Sequence, residues 1–153
     1  MTGVHLAQAN IARMKGPLES DVMSGFVALL DKINAVADES PGFVWRLKSD
    51  EGSAAYLRPY EDERILFNLS VWKTMDDLSA YVYRSAHADA VRRRHEWFEI
   101  FEGVYAALWW IPAGHLPSVE EAKNRLTYLA DHGPTPFAFT FKTLFPPDLV
   151  LPG

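Results

Sequence analysis

Residues 65–72 read Ile-Leu-Phe-Asn-Leu-Ser-Val-Trp and alternate between the two faces of an extended strand. The odd-numbered members are all apolar, whereas the even-numbered members include an asparagine and a serine. One face of this strand is therefore expected to pack in a core. The other face combines large apolar groups with hydrogen-bonding groups, and this is the clearest strand in the sequence.

Weaker patterns on both sides of this strand complete the fold. Alternation predicts further strands at residues 5–11, 43–47, 104–111 and 137–145. Helical spacing predicts helices from Ser20 or Asp21 to Ser40, from Thr74 with a continuation through residues 87–102, and from Ser118 to residues 132–134. The order β-α-β-β-α-β with an added α-β predicts an α+β fold, a ferredoxin-like antiparallel sheet with helices on one face. Because several strands carry large apolar groups on both faces, we expect the uncovered face to pack against a second copy in a homodimer.

Composition restricts the functional classes. The 153 residues suit a single domain, residues 1–153, and aromatic residues reach 13%. The formal net charge is −5 and the basic residues are scattered, so nucleic acid is not an expected partner. There is no cysteine, which excludes disulfides and thiol chemistry. We expect no signal peptide and no membrane span, and hence a cytoplasmic protein.

Familiar catalytic motifs are missing from the sequence. It has no glycine-rich phosphate loop, no G-x-S-x-G elbow, no H-E-x-x-H and no dinucleotide fingerprint. None of the five histidines shows i, i+4 spacing or paired carboxylates, so no metal site is predicted.

Two polar side chains fall within an apolar helical stripe. His87 and Arg94 lie in phase with Val91, Phe98 and Phe101 in the predicted helix. A buried polar group needs a partner, a ligand or water, so these two side chains are candidates to line a cavity. The alternative is structural, with Arg94 paired to Glu99 or Glu102 and His87 hydrogen-bonded in the core.

The predicted strands carry more hydrogen-bonding groups among aromatics. Uncharged polar side chains surrounded by apolar walls are typical of a small-molecule pocket. The same groups could equally stabilise a dimer or a solvated sheet face. The hydrogen-bonding residues on these strands are Gln8, Asn10, Asn68 and Ser70, together with the charged Arg46.

Three further features of the sequence bear on a possible site. Trp109 and Trp110 must point to opposite faces of their strand, so at most one of them lines a given cavity. The loop of residues 111–117 has prolines at both ends and could present His115 at a cavity mouth, or could be a plain connection. Residues 92–95, Arg-Arg-Arg-His, predict a solvated helix face rather than an anion site, because consecutive helical side chains diverge by about 100°.

The sequence as a whole resembles a known family. The resemblance rests on residues 6–11, 40–47, 68–72, 93–98, 107–115 and 133–136, which span most of the chain and include Asn-Leu-Ser-Val-Trp at 68–72. The family is a bacterial domain-of-unknown-function group of the dimeric α/β-barrel superfamily, which also holds the antibiotic-biosynthesis monooxygenases. The resemblance implies a dimeric α/β barrel. Its relatives include quinone-forming monooxygenases that use no cofactor and haem-degrading monooxygenases; in the latter an Asn, a Trp and a helical His form the site, which Asn10, His87 and Trp72 or Trp97 resemble.

Two functional hypotheses follow. In the first, the protein is a monooxygenase-like enzyme whose small aromatic substrate enters between sheet and helices, with Asn10 and Arg94 orienting it and His87 moving a proton. In the second, the same cavity belongs to a non-catalytic module that binds a ligand or haem. No cofactor is required by either hypothesis, haem being suggested by the resemblance alone. The expected ligand-contacting residues are Gln8, Arg46, Asn68, Trp72, Trp97, Trp110 and His115.

Overall fold

A computed structural model describes residues 3–48, 60, 62, 64–84, 92–100 and 104–146. These residues form four strands and three α-helices. The strands are β1 (Val4–Arg13), β2 (Phe43–Arg46), β3 (Ile65–Trp72) and β4 (Ala106–Pro112), and the helices are α1 (Ser24–Glu39), α2 (Met75–Arg84) and α3 (Val119–His132). The helix α1 directly follows a 3-10 turn at Asp21–Met23, and a second such turn lies at Arg94–Glu96.

The strands pair antiparallel in the order β2-β3-β1-β4. The first and third strands are therefore central, and α1 and α2 connect them to the edge strands, which is the ferredoxin-like arrangement. The predicted α+β fold class is confirmed. β3 has the predicted bounds because its alternation runs without a break over eight residues.

One face of the sheet is covered by α1 and α2, and we call it the α1/α2 face. Two apolar clusters lie on it. One contains Leu6, Trp72 and Leu108 packed against Ala37 of α1 and Leu78 of α2. The other contains Met14, Leu18, Met23, Phe26, Leu30 and Trp97.

The opposite face is covered by the added helix α3, and we call it the α3 face. Here Phe67 and Trp109 are almost completely buried and pack in one cluster with Leu126 and Leu129. The two helices of the ferredoxin-like unit share one face as predicted. The expectation of an uncovered face is wrong, because α3 returns to the side of the sheet that α1 and α2 leave open.

The helix termini follow the sequence signals. At the start of α2 the Asp77 amide donates a hydrogen bond to Thr74 Oγ1 over 3.1 Å, and at the start of α3 the Glu121 amide donates to Ser118 Oγ over 3.1 Å. α3 ends at Gly133, whose φ of 74° lies in the left-handed region.

The predicted continuation of the second helix is wrong over the described residues 94–100. After the short turn at Arg94–Glu96, the chain pairs with the end of β1: the Lys15 amide donates to the Trp97 carbonyl over 2.8 Å, and the Glu99 amide donates to the Arg13 carbonyl over 2.9 Å. Backbone groups that a helix would bond internally are thus used by a distant strand. Residues 85–91 and 101–103 lie outside the described part.

The predicted final strand at residues 137–145 is also not continuous. Phe139 pairs with Leu108 of β4 through two backbone hydrogen bonds, but the residues on either side form tight turns. Thr135 and Thr140 close those turns by accepting backbone amide hydrogen bonds on their hydroxyl oxygens. Among the described residues, no helix combines the length and apolar content needed to cross a membrane.

Candidate functional site

Four hydrogen-bonding side chains lie together on the α1/α2 face, and we call them the polar band. Strand register places Gln8 opposite Ser70 and Asn10 opposite Asn68. Directly opposed side chains of an antiparallel pair lie on one face, with Cβ atoms about 5 Å apart. The apolar pair Leu6 and Trp72 borders the band on one side, and Ala12 and Leu66 border it on the other. The band therefore interrupts an otherwise apolar surface beneath the helices.

Ser70 is the fixed point of this band. It is the one buried polar residue of the described chain, at 7% exposure. Its hydroxyl oxygen accepts hydrogen bonds from Gln8 Nε2 over 2.8 Å and from Trp72 Nε1 over 2.9 Å. Because the Trp72 indole is fully buried, Ser70 satisfies a donor that water cannot reach.

Asn68 and Asn10 form the open part of the band. Asn68 is exposed and Asn10 half-buried, although α1 and α2 cover this face elsewhere. Within the described residues, β2 pairs with β3 opposite residues 70–72 and one further bond joins the Leu47 amide to the Leu69 carbonyl over 2.9 Å, so Asn68 lies just past this pairing. The side-chain amide of each asparagine offers N–H donors and a carbonyl acceptor. A ligand bound over Asn10 and Asn68 would therefore meet two neutral hydrogen-bonding groups.

A charged group lies at the β2 end of the band. Arg46 is the cross-strand partner of Ser70 and binds Asp38 of α1 through two contacts, Nε to Oδ1 at 2.8 Å and Nη2 to Oδ2 at 3.2 Å. The side chain of Arg46 is only 12% exposed. The positive charge of Arg46 is therefore neutralised by a bidentate ion pair with Asp38. A ligand could contact Arg46 as predicted only if this ion pair stayed intact.

Tyr81 of α2 stands over the same region and was not predicted as a site residue. Its ring stacks on Trp72 at a centroid distance of 4.9 Å. Burial raises the pKa of Tyr81 well above its usual range, against a lowering effect of the nearby Arg46. The phenol is thus neutral at physiological pH. Sequence spacing assigned Tyr81 to the apolar stripe of α2, and an aromatic with a polar tip in such a stripe was the available signal.

Three tryptophans of the predicted site fall in different places. Trp72 borders the polar band but is enclosed, with Phe43 edge-on at 5.5 Å. Trp97 lies in the cluster around Met14, at 2% exposure, away from the band. Trp110 is on the α1/α2 face at the outer strand β4, where its indole Nε1 donates to the Phe145 carbonyl over 2.8 Å. Trp109 and Trp110 point to opposite faces, as predicted.

His115 lies on the other side of the molecule, beside α3. Its Nε2 is 2.7 Å from Glu121 Oε1, and the second oxygen of Glu121 accepts a hydrogen bond from Trp109 Nε1 over 3.0 Å. Both contacts belong to the α3 face. His115 is therefore not brought near the polar band.

Of the two residues of the predicted helical stripe, the structure describes only Arg94. Arg94 is exposed in its 3-10 turn, and Glu99, its expected partner, instead lies 3.5 Å from Arg64 Nη1. The predicted inward direction of Arg94 is wrong, because it assumed a helix that this segment does not form. His87 lies outside the described residues.

The described residues provide no donor set for haem at the polar band. Within the described part of the chain, no group of three or more His, Asp or Glu side chains could hold a metal ion. His5 lies on the α3 face, while His95, His115 and His132 are exposed. His5, His115 and His132 lie on the α3 face or in α3 itself, across the sheet from Asn10, so none of these three supplies an axial imidazole at the polar band.

Comparison with known proteins identifies the family. Residues 5–151 match the family DUF3291, a domain of unknown function. The chain belongs to this family. No curated protein matches the DUF3291 chain.

Two solved structures resemble this DUF3291 protein. SnoaB, a cofactor-independent oxygenase from Streptomyces nogalater, is 15% identical with a TM-score of 0.48, over 74% of this chain and 98% of SnoaB. A candidate antibiotic biosynthesis monooxygenase from Nitrosomonas europaea is 16% identical with a TM-score of 0.44, over 76% of this chain and 93% of that protein.

The geometry of the DUF3291 chain defines what the band can do. Among the described residues it offers neutral amide donors and acceptors on the face where the half-buried Tyr81 ring covers the enclosed Trp72, with Arg46 already paired to Asp38. Such a surface can orient an uncharged, planar ligand that carries hydroxyl or carbonyl groups.

Proposed function

We propose that this protein transforms a small aromatic molecule at the polar band, by monooxygenase-like chemistry that needs no bound cofactor. The observation that carries the proposal is the exposure of Asn68 beside Asn10, on a face otherwise covered by two helices. A sheet face built for packing alone would fill this position with an apolar side chain, as it does at Leu6 and Trp72.

The proposed roles follow from the chemistry of each group. Asn10 and Asn68 would hydrogen-bond the oxygen substituents of the ring, and Tyr81, supported from below by Trp72, would form the aromatic side of the pocket. His87, in the segment that follows α2, would take the proton from the substrate, because imidazole titrates near neutral pH. Arg94 has no role in the proposed site.

An oxygen-uptake assay tests the reaction. Anthrone is the probe: uptake of one O2 yields anthraquinone and water, with one oxygen atom becoming the new carbonyl and the two methylene hydrogens leaving in the water. The substrate supplies the electrons and O2 is the oxidant. We expect catalysed oxygen uptake with anthrone or with phenolic ring compounds tested beside it.

Matched variants locate the activity. Asn10→Ala, Asn68→Ala and His87→Ala should abolish uptake while the circular dichroism spectrum stays unchanged. The control Asn124→Ala removes an exposed asparagine from α3, on the other side of the sheet, and should retain full activity. Equal activity in Asn68→Ala and Asn124→Ala would refute the proposed site.

The second hypothesis is a module that binds a ligand or haem without chemistry. Its specific consequence is a saturable Soret band when haem is added to the purified protein, without oxygen uptake. The enzyme hypothesis, in which His87 serves as the base, predicts no saturable Soret band. Stoichiometric haem binding that is lost in Asn10→Ala would favour this hypothesis over the enzyme.

We further propose that the protein forms a homodimer. Ile100 is 93% exposed and Tyr105 is 48% exposed, close to each other along the chain. Contiguous exposed apolar surface is typical of a protein contact, and these two side chains would form part of such a patch. Light scattering should give twice the 17.3 kDa chain mass, and Ile100→Asp should halve it while Val22→Asp, at a 41% exposed position, does not. A monomeric wild-type protein would refute this.

A further inference from the structure

An apolar cavity of about 270 Å³ opens at the β4 edge of the α1/α2 face. One wall is Trp110, and the beginning of α2 forms another through Met75. The segment after Phe139 forms a further wall, and the cavity is open to solvent between these walls. The lining residues are Met75, Trp110, Phe139, Leu144, Phe145 and Pro146.

This cavity is separate from the polar band. Trp110 is paired with Leu6 across the strands, whereas Gln8 and Asn10 are paired with Leu108 and Ala106. The apolar Leu6 and Leu108 therefore lie between the cavity and the hydrogen-bonding groups of the band. A ligand in the cavity does not need to touch the band.

The lining has no side-chain group left to solvate a charge. Its one side-chain N–H, on Trp110 Nε1, is already donated to the Phe145 carbonyl over 2.8 Å. The other five side chains are apolar, with the Met75 thioether as the softest group. Burying a charged or strongly polar ligand here would cost free energy without compensation.

The volume narrows the ligand further. A dry cavity of about 150 Å³ lined by aliphatic and aromatic side chains accepts benzene. A cavity of about 270 Å³ has room for a second ring. It is too small for a peptide helix, whose diameter with side chains is about 10 Å.

We propose that this cavity is a binding site for an uncharged aromatic molecule of about two rings. Aromatic walls from Trp110 and Phe145 provide edge and face contacts, and the Met75 thioether adapts to the ring edge. The site is independent of the oxygenase reaction proposed above, and its test does not measure turnover.

Methyl NMR of the full-length protein labelled with 13C-methyl methionine tests this directly, with naphthalene as the probe. The ring current of a bound naphthalene should shift the Met75 methyl resonance saturably. Met14 and Met23, both fully buried in the other cluster, should not shift and serve as internal references. The anion 2-naphthoate has the same rings and should bind about tenfold more weakly or not at all.

Two variants with nearly equal exposure provide the control. Leu144 is 51% exposed at the cavity rim and Leu116 is 52% exposed in the loop before α3. Leu144→Asp should weaken naphthalene binding about tenfold or more, whereas Leu116→Asp should leave it unchanged. A Met75 signal that stays fixed up to the solubility limit of naphthalene, equal binding of 2-naphthoate, or unaltered affinity in Leu144→Asp would each overturn the proposal.

Discussion

Replacing Ser70 with alanine should destabilise the protein far more than the loss of an ordinary serine hydroxyl. The hydroxyl oxygen of Ser70 accepts two hydrogen bonds, from Gln8 and Trp72. Gln8 is half-buried, so its amide can turn to water and its loss costs about 0.5–1.5 kcal/mol. The buried Trp72 N–H would stay unpaired at a cost of about 1–3 kcal/mol. The two costs add to about 1.5–4.5 kcal/mol.

Urea unfolding monitored by circular dichroism measures this change in the free energy of unfolding. For a chain of this length, a loss of about 3 kcal/mol lowers Tm by roughly 6–12 °C. The control is Ser24→Ala, because the exposed Ser24 hydroxyl makes one hydrogen bond, to the Asp21 carbonyl over 2.8 Å. Its loss should cost less than about 1 kcal/mol.

A double-mutant cycle with Trp72→Phe separates the two bonds. Phenylalanine has no N–H to leave unpaired, so Ser70→Ala in that background should cost only the Gln8 contribution, about 0.5–1.5 kcal/mol. A cost of Ser70→Ala that is the same in both backgrounds, or that does not exceed the Ser24→Ala control, would refute the reasoning.

Two other predictions use the backbone and a titrating group. Gly42 has a φ of 80°, and a Cβ there would collide with the Asp77 carboxylate. Gly42→Ala should therefore destabilise the protein more than Gly133→Ala, because at Gly133 φ is 74° but the space around a Cβ is open. A smaller loss of unfolding free energy in Gly42→Ala than in Gly133→Ala, measured by urea unfolding, would contradict this. Burial raises the folded-state pKa of Tyr81, so its stabilising effect is complete below pH 10 and is lost above it, at up to about 1.4 kcal/mol per pH unit. Unfolding measured from pH 9 to 11 should show a fall that is shallower in Tyr81→Phe, and equal slopes would count against the buried phenol.

The sequence predicted the parts of the fold that depend on local pattern. β3 alternates strictly, and Thr74 and Ser118 are standard N-cap residues, so their roles follow from period and capping chemistry. The segment around Trp97 was misread because its backbone partners, on Arg13 and Lys15, are about 80 residues away in the chain. Local spacing carries no information about such partners.

The candidate site was predictable only in part for a similar reason. Alternation placed Gln8, Asn10 and Asn68 on polar faces of their strands, and the sheet register brought them together. The end of β2 was predicted to within one residue, but the exposure of Asn68 depends on how the rest of the chain packs beyond that end, which local spacing does not report. Which side of the sheet α3 covers also depends on long-range packing, which local spacing does not report. For this reason the face that was predicted to be free for a dimer is in fact covered by α3.

Thiol labelling of Asn68→Cys tests the central claim most directly, namely that the polar band is open above Asn68. Since the natural chain has no cysteine, each variant carries a single thiol. Asn68→Cys should react with an aromatic disulfide reagent about as fast as Asn124→Cys on the exposed side of α3, while Ala9→Cys, at a fully buried position on the α3 face, stays protected. Protection of Asn68→Cys equal to that of Ala9→Cys would contradict the account.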